Sequence, residues 1–163
     1  MHSTPRRTAP KIQLQKPAPL PAIDPNALPD EYCLCLDGDC LEPLIPDGAA
    51  IYLKKSEEFG AGDVVCIWFR AEFSPPGRHQ AWLKRIRLNL PPWVKKFPYN
   101  EHPESDVKAI MMVEQLNPPM TYKVRCDQIL TIHKAVGYSL AGAKVGGTVS
   151  SADMLPIEKA VAS

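Results

Sequence analysis

The sequence predicts an all-β domain with little helix, and three observations carry that expectation. From Glu31 onward, short runs rich in Val, Ile, Tyr and Trp alternate with clusters of Gly, Pro, Asn and Asp, the texture of strands separated by tight turns. No long amphipathic period interrupts the series, and no glycine-rich nucleotide loop stands between a strand and a helix. The 163 residues suffice for one core of ordinary size but not comfortably for two. A small, coiled, mostly antiparallel sheet is expected, with no cofactor.

Residues 1–30 hold seven of the eighteen prolines, among them Pro17, Pro19 and Pro21, together with Arg6, Arg7, Lys11 and Lys16. Proline removes backbone donors and fixes an extended form, so this segment is expected to be a disordered or polyproline-like basic arm. Four dispersed basic residues are a weak footprint for a partner or nucleic acid. The domain proper is expected over 31–140, with strands at 32–36, 49–54, 63–69, 79–89, 108–115, 121–125 and 128–138. Phe73-Ser74-Pro75-Pro76-Gly77-Arg78 carries the proline and glycine of a turn and makes 63–69 and 79–89 a hairpin. Residues 90–106 contain four prolines, two lysines, a histidine and three acidic residues without a period, and read as a long loop, functional or solvated. Residues 141–163, rich in Ala, Gly and Ser, read as a flexible tail in which Ser151-Ala152-Asp153 opens a short helix.

A net charge of +1 gives no global attraction to nucleic acid, membrane or acidic substrate. No apolar run approaches the roughly 20 residues that span a bilayer, and the start lacks the apolar segment of a signal peptide, so a cytoplasmic protein without membrane attachment is expected. Five cysteines, odd in number and widely spread, are expected to be reduced thiols. Cys33 and Cys35, two apart on a strand, would share a face. Without a second close ligand pair they do not make a structural zinc site, so no metal is expected.

Two residues stand out chemically. Alternation in 79–89 puts Trp82, Lys84, Ile86 and Leu88 on one face and Leu83, Arg85, Arg87 and Asn89 on the other, so Lys84 stands on the apolar face. Burial disfavours an ammonium, and a lysine there can serve as a general base. The alternative is an edge lysine whose stem packs while its ammonium reaches water. Cys40 follows the turn Asp37-Gly38-Asp39, where a side chain can be held outward and successive amides can meet a developing oxyanion. A thiol is a stronger nucleophile than a hydroxyl and needs less help to ionise.

Gly38-Asp39-Cys40-Leu41-Glu42-Pro43-Leu44-Ile45-Pro46-Asp47-Gly48 is similar to the Gly-Asp-Ser-Met-x-Pro box, with its trailing Asp-Gly, of the LexA/UmuD family of serine-lysine self-cleaving peptidases. Cys40 stands where the family has its nucleophilic serine. Ala61-Gly62-Asp63-Val64-Val65 resembles the strand that follows. Leu83-Lys84-Arg85-Ile86 resembles the box that supplies the general-base lysine, and Leu116-Asn117-Pro118 and Ile132-His133-Lys134-Ala135-Val136-Gly137 resemble the closing boxes. Together they cover roughly residues 31–138 in order.

The resemblance implies a coiled antiparallel fold of the LexA/signal-peptidase type, with Cys40 as nucleophile and Lys84 as base. It places the oxyanion site at the Gly38/Asp39 turn and a substrate groove beside Leu41 and Pro43. It implies acyl transfer through a thioester on a peptide segment of the chain itself or of another protein, in stress or phage-type regulation, and a possible homodimer. The alternative it leaves is an inactive peptidase-fold binding module. Residues 1–37 contain no glycine, hence no Ala-Gly or Cys-Gly bond of the kind self-cleaving members cut. No upstream helix-turn-helix is expected, so DNA binding would need a partner domain.

Overall fold

The computed structural model describes residues 8–12, 23–73, 80–140, 148–150 and 154–158. They form a mainly β structure with strands β1 (Thr8–Ile12), β2 (Glu31–Cys35), β3 (Ala50–Lys54), β4 (Val64–Phe69), β5 (Ala81–Ile86), β6 (Ile110–Leu116), β7 (Pro119–Arg125), β8 (Ile129–Ser139), β9 (Thr148–Ser150) and β10 (Leu155–Pro156). The order across the sheet is β7-β6-β5-β4-β8-β3-β2-β1-β9, and β10 pairs with β8. β3 lies along one edge of β8 at Lys134–Ser139. The other edge takes β4 at Ile129–Lys134 and β10 at Gly137–Tyr138. The sheet is mixed, because β1 runs parallel to β2 while the other pairs are antiparallel.

β4 shows why the strands form where they do. Val64, Cys66 and Trp68 enter a core on one face with Tyr32, Leu34, Ile51, Leu53 and Leu83, while Val65 and Ile67 enter a second core on the other with Ile86, Met111, Val113 and Ile132. A strand covered on both faces reads as a continuous apolar run rather than an alternating one. At the far end of the sheet Ala9, Cys33, Ala50 and Tyr52 form a third, smaller cluster.

In the first core, a polar chain is buried. The Trp68 indole Nε1–H donates to the Tyr32 hydroxyl at 3.0 Å, and the Tyr32 hydroxyl lies 2.6 Å from His133 Nδ1. An indole can only donate, so the tautomer of neutral His133 that also gives the buried phenol proton an acceptor has Nδ1 bare and its proton on Nε2. Burial pushes the Tyr32 phenol up, with Cys66 adding to the shift and the Trp68 hydrogen bond opposing it.

The structure departs from the sequence expectations in several places. Thr8–Ile12, placed in a disordered arm, is a strand: Lys11 and Ile12 pair with Cys33 and Leu34, and Thr8, Ala9 and Pro10 pair with β9. Pro10 is the last residue of the pairing with β9 and precedes the first of the pairing with β2, so its missing donor falls where the pairing changes sides. The arm's other residues, 1–7 and 13–22, lie outside the described residues. The tail contributes β9 and β10, whereas the helix expected to open at 151–153 and all but Phe73 of the hairpin turn expected at 73–78 lie outside the described residues. β5 ends at Ile86, so Leu88 does not continue its apolar face and is 55% exposed. Residues 90–106 are a cover rather than a solvated insertion: Val94, Leu90, Phe97 and Tyr99 pack on the second core, and the Arg70 guanidinium donates to the Tyr99 carbonyl and Asn100 Oδ1, both at 3.0 Å.

Among the described residues no helix is long and apolar enough to cross a membrane. β10 is held in place by Gly137, the position opposite Pro156. A β-carbon there would strike the Met154 side chain and come within 2.9 Å of the Leu155 carbonyl oxygen. Gly137→Ala is therefore expected to release β10 at a cost of about 1–3 kcal/mol. Hydrogen exchange at Leu155 should rise sharply while β4 stays protected, and unchanged exchange at Leu155 would refute the packing argument.

Candidate active site

Cys40 lies in the connection from β2 to β3, a folded excursion rather than a loose loop. Leu36 N–H donates to the Ala49 carbonyl and Gly48 N–H to the Leu36 carbonyl, at 2.8 and 2.9 Å, closing its neck. Gly38 and Gly48 have φ of +106° and +81°, a left-handed backbone that glycine adopts without steric cost. Glu42 N–H donates to the Asp39 carbonyl at 3.0 Å, Ile45 N–H donates to the Leu41 carbonyl at 3.0 Å, and the fully buried Leu41 and Ile45 root the excursion in the first core. Cys40 itself is half-buried.

The carbonyl of Cys40 accepts two hydrogen bonds from the start of the β6–β7 turn, from Leu116 N–H at 2.7 Å and Asn117 N–H at 3.2 Å. Asn117 Nδ2 also donates to Asp39 Oδ2 at 3.2 Å. Two segments 78 residues apart thus fix the backbone around the thiol. Gly38 N–H donates to Asp47 Oδ1 at 2.8 Å, and Asp47 N–H in turn donates to Glu42 Oε1 at 3.3 Å. That bond removes the Gly38 amide from the expected oxyanion pair. The amides of Asp39 and Cys40 have no acceptor among the described residues and remain available.

Lys84 projects from β5 on the face that carries Trp82 and Ile86 into the second core, opposite Val65 of β4. Its Nζ lies 5.5 Å from the centre of the Trp82 ring and 5.6 Å from that of Tyr122. Burial lowers its pKa from the ordinary lysine value. A negative charge on nearby Cys40 would oppose that shift. The neighbouring guanidinium takes the nearby carboxylate: Arg85 Nη2 sits 2.8 Å from Glu114 Oε1, and Arg87 Nη1 lies 3.6 Å from Glu114 Oε2. Among the described residues no carboxylate pairs with Lys84, so nothing of that kind holds it protonated.

The other thiols are chemically quieter. All five cysteines are free. Burial pushes the Cys33 thiol up to about 12 against the pull of Lys11, raises Cys66, and pushes Cys126 up to about 11 with help from Glu101 and Asp127. Protonated thiols of this kind are poor nucleophiles at neutral pH. Cys35 is exposed, on the side of the sheet that Cys33 faces.

Of the residues singled out in the sequence, Cys40 and Lys84 lie within electrostatic reach of each other, Asp39 precedes Cys40 in the same turn, and Pro43 is exposed three residues after it. Leu41 does not line a groove: it is wholly buried and supports the turn from beneath. Sequence reasoning missed Asn117 as the clasp on Asp39 and Tyr122 as a neighbour of Lys84. The alternation of Met120, Tyr122 and Val124 could have flagged a shared face of β7, but not which strand it approaches. Comparison with protein-family models, with curated proteins and with solved structures returns no match. The case for Cys40 and Lys84 rests on their placement in this fold.

Proposed function

We propose that the chain is a thiol peptidase of the LexA/UmuD type, acting on a peptide segment of itself or of another protein. The observation that supports it is that half-buried Cys40, with its backbone pinned, lies within electrostatic reach of a lysine whose ammonium is disfavoured by burial. Lys84 Nζ takes the thiol proton as Cys40 Sγ bonds to the peptide carbonyl carbon, and the oxyanion meets the free amides of Asp39 and Cys40. Collapse breaks the C–N bond, the amine leaves with the proton returned by Lys84, and water hydrolyses the thioester.

Intact-mass spectrometry of the purified chain, alone and with a peptide library, tests this. Expected are cleavage products and a Cys40 acyl adduct that vanish in Cys40→Ala; identical products from Cys40→Ala would sink the proposal. A second reading is a noncatalytic module that holds a peptide in the same place. In its favour, among the described residues no hydrogen bond links Cys40 Sγ to Lys84 Nζ, although such bonds often tighten only with substrate bound. A peptide bound equally well by Cys40→Ala, without a mass change, would select that reading.

A further inference from the structure

Among the described residues no carboxylate pairs with Lys84, and the two aromatic rings near its Nζ come from different strands. Trp82 precedes it by two residues on β5, while Tyr122 reaches across β6 from β7. Both rings are held independently of the lysine. Trp82 packs edge-on against Phe69 with centroids 5.2 Å apart and against Tyr122 at 5.6 Å, and the Tyr122 hydroxyl donates to Gln115 Oε1 at 3.0 Å. The arrangement is thus built before any charge enters it.

We propose that Trp82 and Tyr122 are positioning residues for Lys84, forming an aromatic seat that holds its ammonium beside Cys40 once the proton has been transferred. A cation within about 6 Å of a ring centroid is attracted by the ring quadrupole, most strongly where water is excluded, whereas a neutral amine gains nothing comparable. The seat therefore strengthens as the proton moves from sulfur to nitrogen. It does what the third member of a catalytic triad does for its base, orienting it and stabilising the cation that forms.

The surrounding titratable groups leave that role to the rings. Cys40 approaches from the β2–β3 connection and the Tyr122 phenol is tied to Gln115. On the same face, across Val65 of β4, Lys134 Nζ lies 3.9 Å from Asp63 Oδ1, while Glu114 is engaged by Arg85 and Arg87 on the other face and Lys123 alternates to the opposite face of β7.

The inference rests on Lys84 being the proton acceptor, yet the seat itself can be read without any reaction. The experiment is a carbon-13 NMR titration of the Lys84 ε-methylene in the full chain, assigned with Lys84→Arg, for the parent, Trp82→Leu, Tyr122→Leu and Tyr122→Phe. Losing either ring should move the titration to lower pH, raising the neutral fraction below the midpoint by about two- to fivefold, because the ammonium loses its support while its burial remains. Tyr122→Phe should leave it unmoved, since the ring face is kept. Should Trp82→Leu fail to fold, Trp82→Phe provides a smaller shift in the same direction.

An unmoved titration in the leucine variants, or one displaced to higher pH as water entering a loosened site would cause, overturns the seat. The same shifts in a chain that keeps Cys40 and yet cleaves nothing would overturn the peptidase and leave the seat standing.

Discussion

Replacing Lys84 by methionine is expected to slow acylation of Cys40 by about 100- to 10,000-fold, the range for deleting a positioned general base. Methionine is chosen because it keeps an unbranched stem against Trp82 and Tyr122 while removing the amine assigned to take the proton. The measurement is the appearance of the acyl adduct on Cys40 with an activated ester, read by intact mass in a Cys35→Ser background so that the exposed second thiol does not contribute. Cys33, Cys66 and Cys126 need no substitution, because burial keeps them protonated.

The pH dependence has a definite sign. Burial lowers the Lys84 pKa, so the neutral amine accumulates at lower pH than for an ordinary lysine; the parent rate climbs through that range and falls below it as the amine is protonated. A Lys84→Met variant acylated as fast as the parent at every pH would remove Lys84 from the chemistry, whatever Cys40 does.

Much of the sheet was legible because its strands obey a period of two. β3, β4, β6 and β8 begin and end within two residues of where their apolar runs do, and the face of Lys84 followed from alternation alone. Proximity between Cys40 and Lys84 was a different matter. Nothing local in either segment specifies it, and only the resemblance over several boxes suggested it.

The structure supplies a physical link that no window of sequence contains, the bonds from Leu116 and Asn117 to the Cys40 carbonyl. β1 was illegible for a related reason. Its centre is a proline in a proline-rich segment, and what makes it a strand is the pairing edge of β2 on one side and of β9 on the other. The cover formed by residues 90–106 was missed because four apolar residues at irregular spacing have no period to detect; they match the contour of the second core instead.

Acidification is expected to destabilise the fold through His133. This side chain is 3% exposed, and its Nδ1 accepts the Tyr32 hydroxyl proton, so protonation would place a charge in the first core and remove the acceptor that Tyr32 needs. Burial pushes its pKa down to about 4 from 6.5; Lys55 adds to the shift and Asp30 opposes it.

Between those two values the unfolded chain binds a proton that the native chain refuses, so stability falls as pH drops from about 6.5 and the loss is complete below about 4. The displacement corresponds to about 3 kcal/mol, a large share of the stability of a domain this size. Carboxylates contribute their own acid sensitivity, so the test is a difference: urea unfolding of the parent and of His133→Gln, at pH 7 and at pH 4. Glutamine keeps an acceptor for Tyr32 but cannot titrate. Relative to the parent, it should gain about 3 kcal/mol between the two pH values. A gap that stays constant with pH would mean that the Tyr32–His133 pair does not sense protons.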